Sequence, residues 1–486
     1  MRFWKEEKLG QYFAVILATV FSYLLCRILK ISGQPASIQW FLFACLGLVS
    51  VRMVWKWRKY RANEEILVRE ILIMGILMRI GYMLYTGCEV RSHDMFEIDV
   101  NGAGHAGYLL QVMTKGRLPE SNFRQCYQQP FFYFLGSLFS GGINTLLSCR
   151  DSYFLVDAAK TVSCSASCIS LLLCRSISRE CGLRGKGELT AVTLTAFLPA
   201  FYLTGGRVTP DALAAMFMLL EFLYTIRWIK EPGWKHTVLL AIIYGCGVMT
   251  KISCSVIAIL TAAVFLKKLY DALRKKTGDF RSLLGKYAVF GLISLPLGLW
   301  YSVRNYIRFH QDFQYVPRIS ETSELYTGMH SITERFWGID VSSLFQTPYV
   351  NIWEDYNAPV YYLKSSCFGE FTYQVPGWIP ALLLFSAFGI AVACGAALLW
   401  QIRQKNGEWT GYLCAGIFLI FYVSMLVFYQ KYPFACSMDF RYMIFMVVPA
   451  GILLGKYAEA HQQRCGWINT GLFLFAVSSC LMYGII

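Results

Sequence analysis

Charge is scarce in this 486-residue chain: Asp, Glu, Lys and Arg together make up 15% of it, against about 25% in soluble domains. So little charge cannot cover a water-soluble surface of this size, which excludes the soluble classes. Low-complexity tracts, polar linkers and clear internal repeats are missing as well, so neither a disordered chain nor a solenoid fits. The 17 cysteines include no CxxC pair and no Cys/His spacing suited to zinc. Most lie in apolar stretches such as 164-CSASC-168 and read as small helix-packing residues. The phosphate-binding pattern GxxxxGK[ST] is also lacking. The segment 245-GCGVMTK-251 has neither that spacing nor a preceding strand, and reads as a turn between helices.

What the chain has instead is apolar surface, with 56% hydrophobic and 16% aromatic residues. These gather in blocks of roughly 17 to 25 residues, the length that spans about 30 Å of hydrocarbon at 1.5 Å per residue. A barrel strand would show about 10 residues of strict alternation, whereas 382-LLLFSAFGIAVACGAALLW-400 is apolar on every side. An all-α polytopic membrane protein is therefore expected. Its spans are placed near 11–30, 37–54, 66–86, 153–175, 188–204, 208–229, 237–250, 252–268, 286–304, 379–401, 410–430, 440–457 and 466–485. The apolar run behind MRFWKEEK is too long for a signal peptide and has no small-x-small cleavage site, so an uncleaved anchor is expected.

The net charge of +15 points to cytoplasmic loops rather than to nucleic acid, because Lys and Arg mark the inner side of membrane proteins. With the amino terminus and 52-RMVWKWRKYR-61 inside, the third span delivers residues 87–128 to the outside. Treating 130-PFFYFLGSLFSGGINTLL-147 as an interfacial helix keeps 227-RWIKEPGWK-235, 267-KKLYDALRKK-276, 403-RQK-405 and 456-KYAEAHQQR-464 inside. The outer side then holds 87–128, turns at Arg207–Asp211 and Lys251, a long loop over 305–378 and 430-QKYPFACSMDF-440. Loops longer than about 15 residues are usually functional or disordered. The Trp and Tyr content of 305–378 argues for order, and its stretch 349-YVNIWEDYNAPVYY-362 suits either sugar stacking or an interfacial aromatic belt.

The first outer loop concentrates His93, Asp94, Glu97, Asp99 and His105 directly after a span. Such a cluster at a bilayer surface is a candidate site. Arg207, Asp211, Lys251, Arg304, Asp439 and Arg441 fall on the same expected boundary. Outward cations run against the positive-inside bias, so several together suggest an anionic ligand, and a phosphate is the natural one.

Read in order, these residues form a pattern. His105 and Tyr108 give H-x-x-Y, followed by 116-GRLP-119, 127-YQQPFFY-133 with Gln129, Pro210-Asp211, Thr250-Lys251, 300-WYSVRN-305 and 439-DFRY-442. The order, over about residues 66–457, resembles the GT-C glycosyltransferase superfamily. In particular it resembles the bacterial branch related to protein O-mannosyltransferases and lipid A aminoarabinose transferases. That resemblance implies a GT-C-type bundle of about 13 transmembrane helices, with juxtamembrane helices under a carboxylate-bearing external loop. It divides the chain into two extra spans (1–65), a catalytic module (66–457, with external loops 87–150 and 305–378) and a terminal span (458–486). It also implies a polyprenyl-phosphate sugar as donor, with membrane lipids as surroundings and a protein, lipid or polysaccharide as acceptor. The sequence departs from the aminoarabinose transferases at Gln128-Gln129-Pro130, where they carry Lys-Pro; if that Lys binds the donor phosphate, another cation must substitute here.

On this reading the chain is an inverting transferase of the cell membrane working on the outer face. Asp94, backed by Glu97 and Asp99, takes the proton of an acceptor hydroxyl. Arg304, Lys251 and Arg441 hold the phosphate, while His105, Tyr108, Gln129, Arg207, Asp211 and Asp439 complete the binding set. A divalent metal fits the chemistry, but no ligand spacing demands one, and no other cofactor is expected. A transporter or lipid flippase is the main alternative and predicts charges near the middle of spans. A non-catalytic assembly protein is the third.

Overall fold

The computed structural model describes residues 9–31, 34–60, 63–274, 280–313, 315–317, 319–338, 356–405, 407–461 and 466–486. The aromatic stretch 349–355 and the amino-terminal MRFWKEEK lie outside the described residues. Over the described residues the chain is helical and forms no strand; one antiparallel bridge pairs Tyr326 with Phe434. In chain order the helices are α1 (Leu9–Ile28), α2 (Pro35–Lys59), α3 (Glu64–Tyr85), α4 (Gly104–Lys115), α5 (Phe131–Leu147), α6 (Ser152–Ala158), α7 (Lys160–Glu180), α8 (Gly185–Phe197), α9 (Pro199–Gly205) and α10 (Asp211–Lys230). They continue with α11 (Trp234–Thr250), α12 (Ile257–Arg274), α13 (Phe280–Phe309), α14 (Ile332–Phe336), α15 (Ala358–Phe368), α16 (Trp378–Arg403), α17 (Trp409–Lys431), α18 (Val447–Ala460) and α19 (Gly466–Ile485).

Among the described residues, nine helices are long and apolar enough to cross a membrane: α1, α2, α6 with α7, α10, α12 with the turn before it, α13, α16, α17 and α19. The chain is thus an all-helical, polytopic integral membrane protein. The other four expected spans are helical too, but fall short of that measure. Helix α3 carries Arg69, Glu70 and Arg79 along its length. The 188–204 segment breaks into α8 and α9, because Pro199 has no N–H to continue the ladder and its ring opposes a helical neighbour. Helix α11 has 17 residues, about 25 Å. The span expected over 440–457 becomes helical only at Val447, after three short 3-10 turns. There the Asp439 side chain accepts from Arg441 N at 2.9 Å and Ser365 Oγ accepts from Phe440 N at 3.0 Å. These local bonds replace an α-helical start. Helix α5, expected at the interface, forms as a separate element of 17 residues.

Two compact units make up the chain: residues 1–91, 167–207 and 318–486 in the first, and 92–166 and 208–317 in the second. In the first unit, Arg52 and Lys56 of α2 bond the buried Glu70 of α3 at 2.6 and 2.9 Å. Arg175 and Arg179 of α7 both reach Glu188 of α8 at 2.9 Å, and Arg179 also reaches Glu65 at 2.6 Å. Helices α8 and α18 touch through glycine: a Cβ on Gly455 would meet Gly187 O at 2.6 Å, the close approach typical of small residues in membrane helices.

The centre of this unit is Arg79, which is fully buried. It donates to Gly75 O (2.8 Å), Ala196 O (2.9 Å), Thr195 O (2.8 Å) and Ser167 Oγ (3.1 Å). The Thr195 and Ala196 carbonyls belong to the last turn of α8, where the break at Pro199 removes helical donors. A cation at a helix carboxyl end also meets the negative end of the macrodipole. In the second unit, α11 and α13 pack through Gly245 and Gly298, where added Cβ atoms would lie 2.6 Å from Leu297 and 3.0 Å from Val248. All 16 described cysteines are free thiols, most of them buried, in keeping with a packing role.

Arg79→Met removes the donors and leaves these acceptors buried, at a cost of about 3 kcal/mol or more. Thermal unfolding of the purified protein in detergent should show a clearly lowered midpoint. An unchanged midpoint would mean that other groups satisfy these carbonyls.

Candidate active site

The residues singled out in the sequence fall into two sets, one in each unit. In the second unit, Asp94, Glu97 and Asp99 are exposed on the segment leading into α4. This segment is fixed by its backbone: His105 N donates to Asp94 O at 3.0 Å and Gly102 N to Asp99 O at 2.9 Å, and Asn101 N donates to Asp99 Oδ1 at 2.7 Å. Asp94 and Phe96 take positive φ angles of 56° and 51°, a conformation non-glycine residues adopt at a cost. Gly104 (φ +81°) is obligatory, since a Cβ there would lie 2.4 Å from Asp94 O.

Behind this loop the motif residues bind one another. His105 Nδ1 lies 2.7 Å from Tyr133 Oη, and the Tyr108 and Tyr133 rings stack at 3.7 Å. The end of α13 clamps the segment 119–129: Arg304 donates to Pro119 O at 2.6 Å, Tyr301 to Cys126 O at 2.8 Å and Asn305 to Tyr127 O at 3.4 Å. Gln129 Nε2 stands 3.5 Å from Ser302 Oγ. The WYSVRN and YQQP motifs therefore meet, and Arg304 is engaged by the loop and by Asn305 Oδ1 at 2.8 Å. Lys251, at the end of α11, forms an ion pair with Asp211 in the first turn of α10. Deeper in α10, Glu221 is fully buried, and neither of its carboxylate oxygens has a hydrogen-bond partner among the described residues.

In the first unit, Arg207, Asp439 and Arg441 come together with a residue that the sequence reading did not select, Glu370. Helix α15 ends at Gly369 (φ +61°), where a Cβ would stand 3.1 Å from Arg207 Nη2. Glu370 follows, 7% exposed, accepting from Tyr361 Oη at 2.7 Å. Carboxylate oxygens of Glu370 and Asp439 lie within 4.8 Å of one another, and Asp439 pairs with Arg441 Nε at 3.2 Å. Arg207, 2% exposed, donates through Nε to Arg91 O at 2.8 Å and lies over the Phe371 ring at 4.7 Å. Its Nη2 has no hydrogen-bond partner among the described residues.

Burial pushes the Glu370 carboxyl above its ordinary range and the Asp439 charge adds to this, while Arg441 and Arg207 pull the other way. The arrangement is a buried cluster of two guanidiniums and two acids, one acid favouring its protonated form. An oxyanion placed beside Arg207 would meet a donor unpartnered among the described residues and a reduced negative charge. The signal for Glu370 in the sequence is slight: one acid in 368-FGEF-371, between apolar helices.

Residues 157–300 match the profile of the dolichyl-phosphate-mannose-protein mannosyltransferase family. The matched stretch is under half of the chain and contains the Pro210-Asp211 and Thr250-Lys251 motifs. Among solved structures, the Archaeoglobus fulgidus oligosaccharyltransferase AglB, in complex with an inhibitory peptide and a dolichol-phosphate, is similar at 11% identity with a TM-score of 0.49, over 88% of this chain and 56% of its own. The same enzyme with zinc and sulfate is similar at 12% identity with a TM-score of 0.47, over 85% of this chain and 53% of its own. ArnT from Cupriavidus metallidurans, bound to undecaprenyl phosphate, is similar at 13% identity with a TM-score of 0.36, over 83% of this chain and 80% of its own. The chain thus spans about half the length of the oligosaccharyltransferase it resembles. No curated protein matches it.

Two outcomes are expected. A raised carboxyl pKa in the folded state means that the native protein holds its proton more tightly than the unfolded chain. Stability should therefore fall as pH rises from 4.5, the ordinary glutamate value, toward the raised value of Glu370. Glu370→Gln should flatten that slope in unfolding scans across pH. Arg304→Gln should speed hydrogen exchange in residues 117–128 by about tenfold, the equivalent of one lost charged hydrogen bond.

Proposed function

We propose that this protein transfers a sugar from a polyprenyl-phosphate donor to an acceptor hydroxyl, with inversion at the anomeric carbon, on the outer face of the cell membrane. The observation that carries the proposal is the buried Arg207, whose Nη2 has no hydrogen-bond partner among the described residues and whose charge acts on Glu370, the neighbour of Asp439 and Arg441. The match of 157–300 to a lipid-phosphate mannosyltransferase family supports the same chemistry.

Phosphate is already a good leaving group, so the protein's contribution is to stabilise the charge that grows on it as the glycosidic bond breaks. Arg207 and Arg441 are the first candidates for that task. Lys251 and Arg304, the other two cations selected from the sequence, are held by Asp211 and by Pro119 O, which suits them to positioning. A proton on Glu370 lowers the negative charge an entering phosphate meets. Asp94 keeps the role the resemblance gives it, as base toward the acceptor hydroxyl, on the ground of its place in the first loop. Should a divalent metal take part, Glu370 and Asp439 are the first unit's candidate ligands, and it would supply further charge neutralisation.

One observation favours a second reading, a transporter or flippase. Glu221 sits near the middle of a spanning helix, where ionisable groups often mark a substrate or ion path. Uptake driven by an ion gradient in proteoliposomes, lost in Glu221→Gln, would favour it.

The direct test is release or transfer of labelled sugar from synthetic polyprenyl-phosphate donors by the purified protein. Wild type should turn over at least one donor. Arg207→Met should lose roughly 100-fold or more, in line with removal of a single oxyanion donor, and Asp94→Asn should lose transfer. Inactivity across a broad donor panel, without donor binding, would overturn the proposal.

A further inference from the structure

The first loop of the second unit displays two aromatic rings that nothing in the chemistry above uses. Phe96 is 45% and Phe123 64% exposed. Between them sits the Arg124 guanidinium, 4.1 Å from the Phe96 ring and 5.2 Å from that of Phe123. Their poses are built into the fold. The ring of Phe96 lies against Gly104, where a Cβ would meet its Cδ2 at 2.5 Å, and the neighbouring Met95 is buried. Phe123 is held by its backbone, with Phe123 N donating to Ser121 Oγ at 3.0 Å and Phe123 O accepting from Cys126 N at 3.3 Å. Asp94, Glu97 and Asp99 are exposed on the same loop as Phe96.

We infer that Phe96, Phe123 and Arg124 form a binding platform for a carbohydrate chain. A pyranose ring offers an apolar C–H face that stacks on an aromatic ring, and a rim of hydroxyls that donate to carboxylates and accept from a guanidinium. Three exposed carboxylates and one ring on 94–99, before α4, with a second ring and an Arg fork on 123–124, after it, supply both halves of that match. Insertion into the bilayer suits these residues poorly, because the carboxylates beside Phe96 would lose hydration as the rings entered the lipid. On the transferase reading proposed above, the platform's ligand is the acceptor, which makes the acceptor a polysaccharide or glycan; binding itself does not depend on that reading.

The test uses the full chain in detergent with neutral oligosaccharides of glucose, mannose and N-acetylglucosamine, followed by saturation-transfer NMR. Transfer to ring C–H protons is expected with at least one of them. Affinity should weaken about three- to tenfold in Phe96→Leu and in Phe123→Leu, which keep the apolar bulk but not the aromatic face. Phe96→Tyr should retain it, and donor hydrolysis without acceptor should be unchanged in all three. No saturation transfer with any oligosaccharide would overturn the inference, as would affinity indifferent to both Leu variants. So would a Phe123→Leu defect confined to binding of phosphatidylglycerol vesicles or of peptides. Sugar binding that follows the rings, in a protein that turns over no donor, would uphold this platform while removing the transferase reading.

Discussion

A cation buried in an apolar bundle loses free energy for each donor left unanswered, and two arginines of the first unit show both cases. Every nitrogen of the Arg79 guanidinium donates to an oxygen in the packed core. That satisfaction is what lets α8 end at Pro199 without leaving bare carbonyls in an apolar setting. Arg207 is 2% exposed, yet its Nη2 has no hydrogen-bond partner among the described residues. An unmet donor of a buried guanidinium costs free energy in the resting protein, and a ligand oxygen placed there recovers it. The contrast marks Arg79 as structural and makes Arg207 the candidate for binding an anion.

The acids around Arg207 shape what can enter. Asp439 is committed to Arg441, whereas Glu370 is driven toward its neutral form by burial and by the Asp439 charge. With Glu370 neutral, two cations would face one full negative charge, a balance that favours an anion. With both carboxylates ionised, the same cluster would be close to neutral and a phosphate would gain little. Helix α15 and the Gly369 bend deliver Glu370 to this position, so a segment that reads as plain loop in the sequence sets the electrostatics of the site.

Much of the architecture was legible in the residues, because bilayer thickness imposes a length that apolar blocks reveal directly. The helices most certain from the sequence, such as α16 and α17, are uniformly apolar. The segments that deviate, 188–204 and 440–457, do so at Pro199 and at the Asp439 turn, where local chemistry overrides hydropathy. Arg207 and Arg441 were visible as cations placed where the positive-inside bias does not expect them, and Asp439 as an acid on the same expected boundary. Glu370 was not, since its significance lies in a burial that no pattern around it announces. The partners of Arg304 and Lys251 were equally hidden: a carbonyl 185 residues away and an acid on another helix leave no mark on local sequence.

A structure of the protein determined with a prenyl phosphate tests most directly whether Arg207 is the seat of an anionic group. Phosphate density is expected within hydrogen-bonding distance of Arg207 Nη2, lost when the complex is prepared with Arg207→Met. Phosphate bound elsewhere while the surroundings of Arg207 stay unchanged would contradict that role.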